Sequence, residues 1–152
     1  MPSRLRPERS ARSRRLRRGL VTVALAVVAV PWSAFAASVA FRAELKGANM
    51  VPPTATPASG YVQATYDSQS RKLTWTGTVA GLSSKLTRIA FHGPASPAAS
   101  AGAVQRIRSL SGGSTTLSDA EAADLIGGYW NITVHTRSHP EGEIRGQVVR
   151  GE

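Results

Sequence analysis

The chain has 152 residues, no cysteine, and a formal net charge of +10 from 19 basic and 9 acidic side chains. The lack of cysteine excludes disulfides, thiol nucleophiles and cysteine-based metal clusters. The charge alone would indicate a nucleic-acid partner, but residues 1–36 contribute +7 of it through eight arginines and Glu8. The remaining 11 basic and 8 acidic residues leave +3, scattered without a basic stripe. We therefore expect no nucleic-acid partner.

The N-terminus has the order of a signal peptide. An arginine-rich segment precedes an apolar run of 11 residues, Leu20–Val30, and Ala34-Phe35-Ala36 is typical of a cleavage site. The run is shorter than the roughly 20 apolar residues of a membrane span, although an uncleaved anchor continuing through Phe41 is the alternative. We predict a signal peptide over 1–36, one domain over 37–152, and an exported protein, periplasmic or secreted. The membrane is then a partner only if the signal segment stays uncleaved.

The rest of the chain predicts short strands separated by turns. Apolar and polar residues alternate over 39–46, 61–66, 72–79, 87–91, 104–110, 129–136 and 143–148. We expect a turn at Asp67–Ser70, a surface loop over Gly93–Gly102 and a flexible break at Ser111–Ser114. Ser118 and Glu121 form a capping box that starts one short helix, a crossover between sheets, which Gly127-Gly128 ends. The fold class is all-β: a β-sandwich or Greek-key barrel of about seven or eight strands with one short helix.

Alternation also assigns faces to the strands that carry histidine. The inward positions are apolar and the opposite positions are largely polar. On the strand before Gly93, Ile89 and Phe91 face in, while Arg88, Ala90 and His92 face the other way. On the strand after the helix, Trp130, Ile132 and Val134 face in, while Tyr129, Asn131, Thr133 and His135 face out. His92 and His135 therefore lie on polar faces, and they meet at one end of the sheet if their strands are neighbours.

The three histidines are the first candidates for chemistry. Imidazole is the commonest metal ligand and the side chain best suited to proton transfer near neutral pH. His92, His135 and His139, with Glu141 or Glu143, would make a zinc or copper set. The spacing of His135 and His139 is not specific, because Pro140 and Gly142 indicate a turn. The alternative is that these are hydrogen-bonding or exposed histidines at strand ends.

Glu143 and Arg145 lie two residues apart on the last strand and share its outward face. One interpretation is an ion pair or a hydrogen-bond network that fixes the register of that strand. The other is that Glu143 orients His135, as carboxylates orient metal-binding imidazoles. The sequence has no G-x-S-x-G elbow and no phosphate-binding loop, so no complete catalytic set is present.

Several short segments occur in an order typical of one known family: Phe41–Leu45, Gly47–Asn49, Val51–Pro53, Gly60, Phe91–Pro94, Val134–Thr136 and Pro140–Gln147. Together they resemble the CHRD domain, which occurs in the animal protein chordin and in exported bacterial proteins. The resemblance implies an immunoglobulin-like β-barrel, with a suggested likeness to copper/zinc superoxide dismutases, and no assigned reaction. Three histidines are too few for a dismutase. Ala90 stands where the family often has a further histidine, and Met50 where it usually has a glutamate.

We therefore expect an exported, non-enzymatic binding module of the cell surface or extracytoplasmic space. Its partner would be a protein, a surface polymer or a small ligand, bound through His92, His135, Glu143 and Arg145. The alternative is a zinc- or copper-binding domain, with or without catalysis, that uses His92, His135 and His139. A third reading is structural: the segment around Glu143 and Arg145 only locks the last strand in place.

Overall fold

A computed structural model describes residues 37–151 as an antiparallel β structure with one α-helix. The predicted signal peptide lies outside the described residues. The helix α1 spans Asp119–Ile126, and a 3-10 turn spans Gly47–Asn49. The strands are β1 Ser38–Lys46, β2 Ser59–Asp67, β3 Lys72–Ala80, β4 Leu86–His92, β5 Ala103–Ile107, β6 Gly113–Thr116, β7 Asn131–Thr136, β8 Ile144–Gln147 and β9 Val149–Arg150.

The strands form one sheet that curls into a nearly closed barrel. Their order is β5-β4-β7-β8-β1-β2-β3-β6, and β9 adds to β1. Two four-stranded halves are thus joined where β1 meets β8, through the single register pair Lys46 and Arg145. This arrangement confirms the predicted all-β sandwich or barrel.

The first three strands form a meander whose faces follow the predicted alternation. Phe41, Ala43 and Leu45 of β1 are buried, and the residues between them are exposed. Strands β2 and β3 repeat this pattern, so one face of the meander lies on the core. The predicted turn after β2 is present, and the Asp67 carboxylate stabilises it by accepting the Ser70 backbone N–H at 2.8 Å.

Strand β6 corrects the prediction of a flexible break at Ser111–Ser114. Gly113–Thr116 pairs with β3, and Gly113 lies opposite Trp75. A side chain at position 113 would collide with the Trp75 ring, so glycine here permits close packing rather than flexibility. The preceding strand is also shorter than predicted and ends at Ile107 instead of Leu110, while the carbonyl of Ser109 accepts the Trp75 indole N–H at 3.0 Å.

Helix α1 begins and ends as predicted. The Ser118 hydroxyl accepts the Glu121 amide at 3.3 Å, and the Glu121 carboxylate accepts the Ser118 amide at 2.8 Å. Gly128, with φ +79°, follows the helix in the left-handed conformation that glycine favours. The helix crosses from β6 in one half to β7 in the other, as expected of a crossover. Within residues 37–151, no helix combines the length and hydropathy needed to cross a bilayer.

The core between the two halves is centred on three aromatic rings. Phe91 packs edge-on against Trp75, with ring centroids 5.7 Å apart. It also packs against Trp130 in a tilted arrangement, with ring centroids 5.5 Å apart. These contacts bring β3, β4 and the start of β7 together. The side chains of Ile132, Val134 and Ile144 complete this part of the core and are fully buried.

The face of β7 that points away from the core is buried as well. Asn131, Thr133 and His135 were predicted to face out, yet each is at most 5% exposed. Alternation correctly places them opposite the core, but loops cover them. Ala90 on β4 is also fully buried on this side. A polar layer with its own cover therefore lies outside the barrel wall.

Candidate functional site

The site forms on the outer face of three adjacent strands, β4, β7 and β8. Residues paired across antiparallel strands lie on the same face. Arg88 pairs with His135, Ala90 pairs with Thr133, and His92 pairs with Asn131. On the other side of β7, Thr133 pairs with Arg145 and Asn131 with Gln147. The register thus gathers two histidines and two arginines on one surface.

Three loops cover this surface and leave a cleft between them. The cleft has a volume of about 470 Å³. Its walls come from residues 50–54 after β1, residues 100–101 before β5 and residues 138–142 between β7 and β8. Its floor includes His92, His135 and Arg145. These segments are far apart in sequence, so the cleft exists only in the folded barrel.

His92 and His135 lie side by side in the cleft. Their ring centroids are 5.7 Å apart, and the ring planes are inclined by 35°. The two residues belong to pairs that are two rows apart in the sheet: His135 lies opposite Arg88 and His92 lies opposite Asn131, with the pair of Ala90 and Thr133 between them. Because the Ala90 side chain is a single methyl group, it leaves room for the two rings to approach each other.

Backbone carbonyls fix the orientation of both imidazoles. The His92 Nδ1 donates to the Ala101 carbonyl at 3.0 Å, and the His135 Nδ1 donates to the Pro140 carbonyl at 2.9 Å. Since a neutral imidazole carries one N–H, both rings are the Nδ1 tautomer and their Nε2 atoms are acceptors. The His92 Nε2 is buried and has no hydrogen-bond partner among the described residues.

Burial keeps both imidazoles neutral near pH 7. It is the largest influence on the pKa of His92 and lowers it, against the opposing effect of the Ala101 carbonyl. The positive charges of Arg88 and Arg145 lower the pKa of His92 further. Burial and Arg88 likewise lower the pKa of His135, although the Pro140 carbonyl and Glu141 act in the opposite direction. Neutral rings can accept a hydrogen bond or bind a metal.

Arg88 also belongs to the site, although it is not among the predicted binding residues. Its Nη2 lies 3.3 Å from the His135 Nε2 and 3.1 Å from the His135 Nδ1. Because His135 Nδ1 donates to Pro140, Arg88 donates to Nε2. The Arg88 Nε is buried without a hydrogen-bond partner in the described part of the chain. The available signal was alternation, which put Arg88 on the same face as His92.

The predicted metal ligands are only partly gathered. His92, His135 and His139 all line the cleft, but only His92 and His135 have rings in contact. In the span 37–151, no three His, Asp or Glu side chains form a group able to hold a metal ion. The Arg88 guanidinium also occupies the side of His135 from which a cation would approach.

Glu143 lies beside the cleft and is the common acceptor of a closed hydrogen-bond network. It is fully buried, and each carboxylate oxygen accepts two hydrogen bonds. Oε1 accepts from the Thr56 hydroxyl at 2.7 Å and the Ser83 amide at 2.8 Å. Oε2 accepts from the Thr136 hydroxyl at 2.7 Å and the Ser83 hydroxyl at 2.9 Å. None of these bonds reaches His135, so the network connects strands and loops instead.

These hydrogen bonds keep Glu143 ionised. Burial by itself would raise its pKa, but the bonds from Thr136, Thr56 and Ser83 favour the charged form and lower the pKa to about 2. Among the described residues the ion pairs are Lys46–Glu44 and Arg71–Asp119, both exposed. Glu143 is therefore stabilised by neutral donors and not by a cation.

Arg145 holds the loop that forms one wall of the cleft. Its guanidinium donates to the carbonyls of Ser96 at 3.2 Å, Pro97 at 3.1 Å and Ala99 at 2.9 Å. Only 3% of Arg145 is exposed, and burial lowers its pKa, although an arginine stays protonated. Carbonyl dipoles satisfy its donors without neutralising its charge. Arg145 thus joins the 94–101 loop to β8 and contributes positive potential to the cleft.

A second groove adjoins the cleft. It has a volume of about 530 Å³ and is lined mainly by Ala, Met, Val and Pro side chains of the segments 48–53 and 97–98. Met50, Val51, Pro53 and Arg145 line both spaces. A ligand longer than the cleft can therefore continue into this groove.

One comparison with known proteins gives a match. The family model described as the CHRD domain matches residues 41–148, which include every residue of β4, β7 and β8. No match was found among curated proteins or among solved structures. The matched range covers 108 of 152 residues and contains the whole cleft.

Proposed function

The chain belongs to the CHRD domain family, and from this premise we propose that it is an exported binding module whose ligand enters the cleft beside His92 and His135. CHRD domains occur in extracellular and exported proteins, which supports export in general terms. We favour binding without catalysis, because among the described lining residues no hydroxyl is hydrogen-bonded to an imidazole nitrogen.

Export would proceed through residues 1–36 as a cleaved signal peptide, leaving residues 37–152 as the mature domain. The periplasm or the external medium is then where the ligand is met. Mass spectrometry of the protein recovered outside the cytoplasm tests this. We expect a mature N-terminus at Ala37, whereas retention of residues 1–36 would contradict cleavage and favour the anchor.

The observation that carries the binding role is the cleft itself. Its volume of about 470 Å³ lies in the range of small-molecule sites. Polar side chains on its floor are held in fixed orientations by buried hydrogen bonds, which reduces the entropy that binding would otherwise cost. Its walls come from three separate loops, the usual location of binding residues on a rigid β scaffold.

The four predicted binding residues take different parts in this proposal. His92 and His135 contact the ligand, together with Arg88. Arg145 lines the floor and holds the loop over 94–101 in place. Glu143 does not line the cleft, so we assign it a positioning role in which it fixes β8 and the neighbouring loops.

Blocking the cleft tests the binding role. Ser100 is exposed at the rim and lines the cleft, so Ser100→Trp would fill the opening without disturbing the core. Ser68→Trp, in the exposed turn after β2, is the matched control. Purified protein is screened by thermal shift against saccharides, carboxylates, nucleotides and peptides.

We expect at least one probe to stabilise the natural protein and Ser68→Trp but not Ser100→Trp. A probe at 100 times its Kd would add about 2.7 kcal/mol to the free energy of unfolding. Equal stabilisation of all three proteins would place the binding site elsewhere and contradict the proposal.

Metal binding is a second candidate, and one observation favours it. Metal-binding histidines usually donate their other ring N–H to a carbonyl or carboxylate, and His92 and His135 both donate Nδ1–H to carbonyls. Zinc or copper would then bind the Nε2 atoms of His92 and His135, whereas His139, the predicted third ligand, lines the cleft without forming a three-residue group with them. Elemental analysis of the natural protein, His92→Ala and Arg88→Met tests this candidate.

We expect a metal site to lose its ion in His92→Ala and to bind more tightly in Arg88→Met, because the competing guanidinium is removed. Equal metal content in the natural protein and His92→Ala would exclude this candidate.

A further inference from the structure

Two atoms of the cleft lining lack the hydrogen bonds that buried polar groups almost always make. Across residues 37–151, three buried side-chain nitrogens have no partner: Arg88 Nε, His92 Nε2 and Trp130 Nε1. The first two belong to the cleft, and the third belongs to a core tryptophan. An unpaired buried donor or acceptor destabilises a folded protein, so such atoms require an explanation.

The two atoms need opposite partners. Arg88 Nε is a donor on a cation and requires an acceptor, preferably an anion. His92 Nε2 is an acceptor because Nδ1 donates to Ala101, so it requires an O–H or N–H. Both residues line the cleft, and the His135 ring connects them: Arg88 Nη2 is 3.3 Å from the His135 Nε2, and the centroids of the His92 and His135 rings are 5.7 Å apart.

The net charge of the cleft favours a negatively charged ligand. Arg88 and Arg145 both line it, and neither takes part in an ion pair with a described carboxylate. Glu141 at the exposed rim is the one acidic residue among the lining residues. With both imidazoles neutral, the cleft keeps a net positive charge, and a negative ligand would lower its energy.

We infer that the cleft binds a hydroxycarboxylate, with the carboxylate on the Arg88 guanidinium and the hydroxyl donating to His92 Nε2. This inference rests on the proposed function and names its ligand class. A carboxylate supplies the acceptors that a guanidinium recognises, and an adjacent hydroxyl supplies the donor that His92 requires. Neither a simple carboxylate nor an uncharged sugar satisfies both atoms.

Hydroxycarboxylates come from two sources: free hydroxy acids and the sugar-acid units of acidic polysaccharides. The adjoining groove separates them, because a polysaccharide would continue past Arg145 over Pro97 and Ala98 while a free acid would not. Ala98 is exposed, so Ala98→Trp would block the groove and leave the cleft open.

Isothermal titration with matched ligands tests the class. Glycolate carries both groups, acetate lacks the hydroxyl and ethylene glycol lacks the charge; galacturonate and galactose form a second pair. We expect glycolate to bind about tenfold more tightly than acetate, and galacturonate at least tenfold more tightly than galactose. Equal affinities within either pair would overturn the inference.

Three variants assign the contacts. In Arg88→Met we expect both acids to lose at least tenfold in affinity, because a charge-assisted contact is removed. His92→Phe keeps a ring but no acceptor, and glycolate should fall to the affinity of acetate. His92→Gln restores an acceptor and should recover part of the preference. A glycolate preference that survives His92→Phe would overturn the assignment.

Two blocking variants identify the source of the hydroxycarboxylate and the site that binds it. Oligogalacturonate that binds more tightly than galacturonate, with the gain lost in Ala98→Trp, identifies a polysaccharide; equal binding identifies a free acid. Loss of a different probe in Ser100→Trp, with no hydroxycarboxylate bound, would overturn the inference and leave the proposed function intact. Hydroxycarboxylate binding unchanged by Ser100→Trp would overturn both.

Discussion

Two regions of the same buried polar layer differ in how completely their polar atoms are hydrogen-bonded. Around Glu143, every carboxylate oxygen accepts two short hydrogen bonds, from Thr56, Ser83 and Thr136. Around Arg88 and His92, a few residues away across the sheet, a buried donor and a buried acceptor have no partner. Both regions are covered by loops, so burial alone does not distinguish them.

The difference lies in which groups supply the hydrogen bonds. A polar network whose members all satisfy one another gains stability from being buried and fixes one structure. A cluster with unsatisfied members loses stability in the unbound protein, and such a loss is typical of functional sites. The closed network is therefore structural and the open cluster is the candidate binding site. The following predictions test that distinction, beginning with the largest expected effect on stability.

Removing the Glu143 carboxylate should cause the largest loss. Glu143→Ala would leave three hydroxyls and one amide without their acceptor, and we expect the free energy of unfolding to fall by at least about 3 kcal/mol. Urea denaturation measures this change. Glu143→Gln keeps the shape and one acceptor oxygen, so it should lose less. A loss below about 1 kcal/mol in Glu143→Ala would mean that the network is not structural.

Acid should have nearly as large an effect through the same residue. The pKa of Glu143 is lowered in the folded state from an ordinary 4.5 to about 2. The stabilisation is complete above the unfolded pKa and is lost as the pH falls from about 4.5 towards about 2. The difference corresponds to about 3 kcal/mol.

Comparing the natural protein with Glu143→Gln isolates this contribution, because all other carboxylates titrate in both. The gap in unfolding free energy between the two proteins should narrow steadily between pH 4.5 and pH 2. A gap that stays constant over this range would show that folding does not lower the pKa of Glu143.

Arg145 should have an intermediate effect with a local signature. Arg145→Met keeps most of the volume but leaves the carbonyls of Ser96, Pro97 and Ala99 without their donor, and we expect a loss of about 2 kcal/mol. Hydrogen exchange should increase over residues 94–101 and stay unchanged in the meander β1–β3. Uniform acceleration across the barrel would show that Arg145 supports the fold as a whole.

The smallest effect on stability should come from the open cluster. His92→Phe removes the unpaired Nε2, which should stabilise the protein, and it also removes the hydrogen bond to the Ala101 carbonyl, which should destabilise it. The two effects oppose each other. We expect the free energy of unfolding to change by less than about 1 kcal/mol. Thermal melts beside Arg145→Met provide the comparison. A loss as large as that of Arg145→Met would erase the distinction between the two regions.

Much of the fold could be predicted because it depends on local patterns. Alternation identified the core faces of β1 to β4, and the capping box of Ser118 and Glu121 fixed the start of the helix. The prediction missed β6 because Gly113 looked like a flexible residue. Its role is to pass close to the Trp75 ring, and that ring is distant in sequence.

The site was predictable only in part. Alternation placed His92 and His135 on the face opposite the core, but it cannot say what covers that face. Loops distant in sequence bury it, and they supply Thr56 and Ser83 to Glu143. Arg88 escaped selection because an arginine on an outward face is usually solvated. Only the register of β4 with β7, which places Arg88 opposite His135, shows that it belongs to the site.

The pairing of β1 with β8 and β9 sets the order in which the molecule can assemble. The β1–β3 meander consists of neighbouring hairpins and can form early during synthesis, because its contacts are local. The barrel can close only when residues 144–150 have been added. Until then β1 has an unpaired edge and the polar residues of β7 lack their neighbours on β8. Ligand binding in the proposed site would therefore be a late and sensitive reporter of complete folding, since a chain that lacks β8 can form the meander but not the cleft.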